Sequence, residues 1–223
     1  MHVTSTLNGV DLDRLSGTID AVTADPALAR FQFRARNQWI DGGYNRTTIK
    51  GFYGAGQEDA TRTQPFTVDA DEPPVLLGEN RAPNAGEFVL HALAACLTGT
   101  IVYHAAARGI ALEGVETTIH GDLDLRGFLG LDSDVRPGYE QIQVTIKVAG
   151  DFDDDQFAEL ASLIRYSPVR DIVSNPVPSP STLPAPERSA RCPRRPSRRR
   201  GHRARRPACT KVRSVPGRRQ GRS

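Results

Sequence analysis

The 223-residue sequence predicts an α+β domain built on antiparallel strands, and three observations carry that prediction. Segments rich in β-branched and aromatic residues come in two groups, one before residue 70 and one between 115 and 148. A long uncharged segment lies between the groups. A second stretch with helical spacing follows from 153 to 164. Strands, helix, strands, helix is the order expected of segregated α+β architecture rather than of alternating βαβ units.

Taken in order, Gly17–Ala24 (GTIDAVTA), Arg30–Trp39 (RFQFRARNQW) and Tyr44–Tyr53 (YNRTTIKGFY) read as strands from their β-branched and aromatic content. Asp41-Gly42-Gly43 supplies a hairpin turn between the second and third. Phe66–Asp69 is a shorter strand candidate, and DEPPVLLGENRAPNAG is a Pro/Gly/Asn-rich loop. From Phe88 to Ala107 run 20 residues without a formal charge, long enough to span a bilayer. His91, Tyr103, His104 and two threonines interrupt it, acidic sequence surrounds it, and no Lys/Arg cluster anchors it. The expectation is therefore no membrane, but a helix over about 86–107, buried at the centre of a domain, wrapped by sheet and ending near Arg108-Gly109.

Beyond it, Val115–Leu125 and Glu140–Val148 alternate apolar and polar residues as half-buried antiparallel strands do, with a polar loop through Asp132, Asp134, Pro137 and Gly138 between them. Asp153-Asp154-Asp155 starts a second helix with acids at its positive end, and Phe157, Leu160, Ala161 and Ile164 give it an apolar stripe. Ser167-Pro168 interrupts that helix, with a short extra turn over Val169–Val173.

Charge divides the chain in two. Residues 1–180 hold 14 Lys/Arg against 25 Asp/Glu, a net of −11, whereas residues 181–223 hold 15 against one, a net of +14. The basic end has only Leu183, Val212 and Val215 as larger aliphatic residues and cannot bury enough apolar surface to offset its ordering entropy. Three cysteines exclude a disulfide-stapled scaffold. The opening MHVTSTLNGVDLDRL lacks the apolar core of a secretory signal, so a cytoplasmic location is expected.

Cys96 is the only cysteine in the folded part, and on a helix it shares a face with Val89, Ala92, Leu93, Thr100 and Tyr103. It reads either as a core thiol or as a redox thiol, and the second role needs a nearby cation to hold the thiolate. Arg34, Arg36, Arg46 and Arg81 are the arginines available from the strands and the preceding loop. Glu87 stands in the first turn, where its charge suits the helix dipole. Nine residues separate it from Cys96, half a turn out of phase, so the two do not touch within one straight helix. His91 and His104 lack the spacing of a helical metal site, and Asp151, Asp153 and Asp155 lack the glycine and closing glutamate of a calcium loop. No metal and no cofactor is expected.

The runs Glu72-Pro73-Pro74-Val75-Leu76-Leu77-Gly78, Pro83-Asn84-Ala85-Gly86-Glu87 and His91-Ala92-Leu93-Ala94-Ala95-Cys96-Leu97 resemble the OsmC-like family of osmotically inducible and organic hydroperoxide resistance proteins. Ser167-Pro168-Val169-Arg170-Asp171 and Asn175-Pro176-Val177-Pro178 look like that family's late segment, and the resemblance covers about residues 15–178. It implies antiparallel sheets around a central buried helix, in an intertwined homodimer with active sites at the subunit interface. It also implies hydroperoxide reduction by a pair of cysteines. Cys96 matches the first, peroxidatic position, while Tyr166-Ser167 stands where the resolving cysteine belongs. Such a chain would need an external thiol reductant. Arg46 is the nearest match to the family arginine and Glu87 to the family glutamate. The resemblance thus implies a single-cysteine hydroperoxide reductase of oxidative-stress defence. The alternative is a redox-inactive relative that holds a small hydrophobic ligand in the dimer pocket. Family members continue into a last β-strand, but here residues 179–223 form an Arg/Pro-rich tail. Its composition favours a frameshift product over a genuine arm for nucleic acid, the competing reading.

Overall fold

The computed structural model describes residues 5–175 and 177–183. Cys192, Cys209 and nearly all of the basic tail lie outside them, as does every expectation attached to that tail. Residues up to Pro178 form one compact unit, and residues 179–183 contain no helix or strand.

The unit opens with a small hairpin of β1 (Thr6–Leu7) and β2 (Val10–Asp11). Asn8 in its turn donates to the Ile110 carbonyl (2.9 Å) and accepts from the Leu112 N–H (2.8 Å), which ties the chain start to the loop after the central helix. Helix α1 (Leu12–Ala24) follows and corrects the strand expected at Gly17–Ala24. Asp11 caps it by accepting from the Arg14 N–H at 3.0 Å, and Thr18 and Thr23 satisfy their hydroxyls on carbonyls one turn back. The apolar residues Leu12, Leu15, Ile19 and Val22 recur at three- and four-residue spacing. That stripe is visible only when the window starts before Gly17.

The two strands expected over 30–53 are each broken once. They give β3 (Gln32–Phe33), β4 (Arg36–Asp41), β5 (Tyr44–Ile49) and β6 (Phe52–Gly54). Gly42-Gly43 closes the β4–β5 hairpin, with Gly42 at φ 52°, a conformation that favours glycine in a tight turn. Arg36 faces Thr48 while Phe33 faces Phe52, so one strand spends an extra residue at the break. Such a bulge turns the outer half away, and it joins a different sheet. β6 lies between β3 and β7 (Gln57–Glu58) in one three-stranded sheet, and β5 lies between β4 and β8 (Phe66–Ala70) in the other.

Helix α2 (Ala85–Ala107) is 23 residues long and apolar enough to cross a membrane by length and composition. Asn84 and Glu87 close a reciprocal capping box at its start, with bonds of 2.9 and 2.8 Å. At its end Gly109 turns left-handed at φ 72° while the Ile110 N–H returns to the Ala105 carbonyl. One stripe, Leu93, Leu97, Ile101 and Ala105, is buried at four-residue spacing. Val89 and Tyr103 stay 41% and 57% exposed. The all-round wrapping expected from the sequence is therefore not completed within one chain. The cause is the small number of elements it meets: α2 packs chiefly on β9 (Gly114–Asp122), α4 (Asp154–Leu163) and α5 (Pro168–Ser174), with α1 beside it.

β9 pairs antiparallel with β10 (Gln141–Ala149) from Gly114↔Ala149 to Asp122↔Gln141, and the loop between them contains one helical turn, α3 (Leu125–Phe128). Asp153 and Gln156 form a second capping box at the start of α4. Its buried residues are Leu160 and Leu163. Phe157 and Ala161, expected in the buried stripe with Leu160 and Ile164, are exposed, and all four residues border an open cavity. Leu160 and Leu163 join Ile101, Ala105 and Ile110 in the core, with Val115, Ile146 and Val148 packed around them.

Candidate functional site

Cys96 is half-buried, and among the described residues no cysteine pairs with it. It precedes Leu97 by one residue, so its side chain leaves the helix about 100° away from the buried stripe. The polypeptide that meets it is the join between α4 and α5. There a 3-10 turn over Ile164–Tyr166 ends and Pro168 starts a new helix. Proline at the first helical position needs no N–H partner, and Ser167 before it caps α5 by accepting from the Arg170 N–H at 3.3 Å.

The same Ser167 hydroxyl donates to the Cys96 sulfur at 3.1 Å across 71 residues of sequence. Ser167 is 1% exposed, one of two buried polar residues among those described. Its hydroxyl thus uses an acceptor role toward the backbone and a donor role toward sulfur. Beside it, the Tyr166 ring stacks on His104 with centroids 4.8 Å apart. His104 Nδ1 lies 3.1 Å from the Arg108 guanidinium, which also bonds Glu159 at 2.7 Å. Burial, and then the Arg108 charge, hold the His104 imidazole below its ordinary pKa. It is therefore the neutral form that stacks on Tyr166.

The other expected site residues sit elsewhere in the subunit. Glu87 is engaged in the capping box of α2. Tyr139 faces the same helix start, and burial followed by the Glu87 charge raises its phenol pKa. Arg46 lies on β5 and grips Asp69 of β8 with two bonds, of 2.6 and 2.8 Å, while the Tyr44 hydroxyl joins both. Hydrogen bonds from the Arg46 guanidinium and then from Tyr44 hold the Asp69 carboxyl down to about 2. Arg34 pairs with Glu58, and Arg81 pairs with Glu79 and stacks over the Tyr44 ring. Cys96, Arg46 and Glu87 make no hydrogen bond to one another within the subunit. Among the described residues, Ser167 is the only group that bonds the sulfur. Apart from its place in the late segment, nothing in the sequence marks Ser167 as a sulfur ligand, because a contact across 71 residues leaves no local pattern.

Residues 78–180 match the family model described as OsmC-like protein. Among solved structures, an OsmC-like protein from Mycoplasma pneumoniae superposes with a TM-score of 0.50 at 13% identity, covering 64% of this chain and 87% of that one. The organic hydroperoxide resistance protein OsmC from Legionella pneumophila gives a TM-score of 0.44 at 17% identity, over 64% of this chain and 88% of that one. The organic hydroperoxide resistance protein OhrB of Bacillus subtilis gives 0.40 at 18% identity, over 65% and 92%. No curated protein matches the chain.

Proposed function

We propose, since residues 78–180 match the family model described as OsmC-like protein, that the chain is a thiol-dependent hydroperoxide reductase in which Cys96 is the peroxidatic residue and Ser167 replaces a second cysteine. The observation that carries this reading is the 3.1 Å bond from the Ser167 hydroxyl to the Cys96 sulfur. The position one hydrogen bond from the reactive sulfur holds a group that can stabilise a thiolate but cannot form a disulfide.

In the reaction the Cys96 thiolate attacks one oxygen of a hydroperoxide, the O–O bond breaks, and the alcohol leaves with a proton. Sulfur is oxidised by two electrons to the sulfenic acid. An external thiol then condenses with it, releasing water and leaving a mixed disulfide. A second thiol attacks that disulfide and restores Cys96. The sum is one hydroperoxide and two thiols converted to one alcohol, one water and one disulfide. Arg46 and Glu87 enter such a site only if a second copy of the chain brings them to it. The extensive exposure of the sheet that carries Arg46 supports this: all six residues of β4 are exposed, Trp39 to 73%. Arg46 would then steady the developing charge on the peroxide oxygen, with Glu87 orienting it.

A second reading, a redox-inactive protein that holds a small apolar ligand, is favoured by the engagement of Arg46 with Asp69. The two readings separate on trapping of sulfenic acid at Cys96 with a dimedone probe after exposure of the full chain to an organic hydroperoxide. Hydroperoxide consumption with a dithiol reductant is expected, and Cys96→Ser is expected to abolish it. Consumption that survives this substitution rejects the first reading. Ser167→Cys sharpens the test: peroxide should then produce an intrachain disulfide, seen as a loss of two mass units, in place of a trappable sulfenic acid.

A further inference from the structure

A cavity of about 410 Å³ opens between α2, β10, α4 and α5. It lies on the Leu93–Leu97–Ile101 stripe of α2 rather than on the face of Cys96, and Cys96 is not part of its wall. Its floor is apolar and deeply buried, with Leu97, Ile101 and Leu160 at 1–2% exposure. One wall is the inward face of β10, from Ile142 to Val148. The mouth differs in kind. Phe157 flanks it at 54% exposure, and α5 presents Arg170 and, one turn later, Ser174. Arg170 is the only charged residue of the lining. Among the described residues no carboxylate pairs with it.

We propose that this cavity is a binding site for an organic anion with an apolar body, of the chemistry of a medium-chain aliphatic carboxylate, with its head held by Arg170 and Ser174. The volume lies in the range of cavities that enclose small organic ligands. The apolar floor gains by excluding water from a hydrocarbon body. Arg170 and Ser174 are both exposed and one turn apart on α5, and one cation with one hydroxyl complements one carboxylate and leaves no second charge to neutralise. Apolar surroundings strengthen that charge-assisted bond relative to water. The site stands independently of the thiol chemistry, since it uses neither Cys96 nor Ser167.

The test is a calorimetric titration of the full chain with decanoate below its micelle concentration, with decan-1-ol as the uncharged control. One saturable decanoate site per chain is expected, tighter than that for decanol. Arg170→Met should weaken decanoate about tenfold or more and leave decanol unchanged. Ala161→Trp, which fills the cavity from its α4 wall, should remove both. Cys96→Ser should abolish hydroperoxide consumption yet leave decanoate binding intact, which separates failure here from failure of the reductase reading. Absence of saturable binding, equal decanoate affinity in Arg170→Met, or loss of binding in Cys96→Ser would each overturn the proposal.

Discussion

The region after residue 84 and the sheets between residues 32 and 70 treat their apolar side chains in opposite ways. Around α2, large residues meet one another inside the subunit: Leu97, Ile101, Leu160 and Leu163 are all 1–2% exposed. In the earlier sheets Phe33, Phe66 and Trp39 remain 70%, 59% and 73% exposed, although their alternation is equally regular. Phe33 stacks only against Phe31 and Phe52, and Arg62 lies over the rings of Phe52 and Phe66. Strand patterning therefore specifies a two-faced sheet but not what covers the apolar face. The buried stripe of α2 finds its cover inside the subunit, whereas the apolar face of the sheets does not. A second copy of the chain, as proposed above, is the natural candidate.

The largest expected effect would break this contrast if it failed to appear. Leu160→Ala should destabilise the protein by about 2–5 kcal/mol, since it removes a large side chain that is 1% exposed. Trp39→Ala should leave subunit stability nearly unchanged and weaken self-association. Denaturant midpoints measured beside sedimentation at several concentrations read both effects. Equal losses of stability from the two substitutions would show that the sheets form a core of their own.

A smaller effect separates structure from chemistry within the helix region. Ser167→Ala removes the cap of α5 and should cost about 0.5–2 kcal/mol, comparable to the loss from Asn84→Ala at the cap of α2. Only Ser167→Ala should also slow oxidation of Cys96, because only Ser167 bonds the sulfur. Unequal stability with equal oxidation rates would make Ser167 a cap and nothing more.

The smallest effect belongs to the Arg46–Asp69 pair on the exposed sheet. The Asp69 carboxyl, held near 2 against an ordinary 3.8, stabilises the fold above the ordinary value. That contribution is lost as pH falls from about 4 toward 2. Arg46→Ala should flatten this part of the acid limb without shifting the limb near neutral pH. Solvent screening at an exposed pair keeps the effect small. An unchanged limb would mean that the pair is already offset by water.

Several features were legible in the sequence because they are short-range. The capping box of α2 spans Asn84 to Glu87 and that of α4 spans Asp153 to Gln156, so both helix starts can be read from four residues. The alternation of Val115–Leu125 and Glu140–Val148 predicts the β9–β10 pair, and Gly42-Gly43 predicts the hairpin turn. Gly17–Ala24 of α1 reads as a strand in the sequence because its threonines and branched residues suit both states. The decision came from the Asp11 cap and from hydroxyls bonded one turn back.

By itself, then, the sequence determined where α2 and α4 start, which strands alternate and which cysteine lies on the long apolar helix, since propensity, capping and periodicity act over a few residues. It also carried the family resemblance in the runs around Cys96. Only the tertiary structure decided that Ser167 reaches the sulfur, that Arg46 is committed to Asp69, and that Arg170 borders an apolar cavity. These contacts join residues 71 and 23 positions apart, or elements from separate parts of the chain. Their partners are selected by how α2, β10, α4 and α5 pack, and packing depends on the whole set of side chains rather than on any local run.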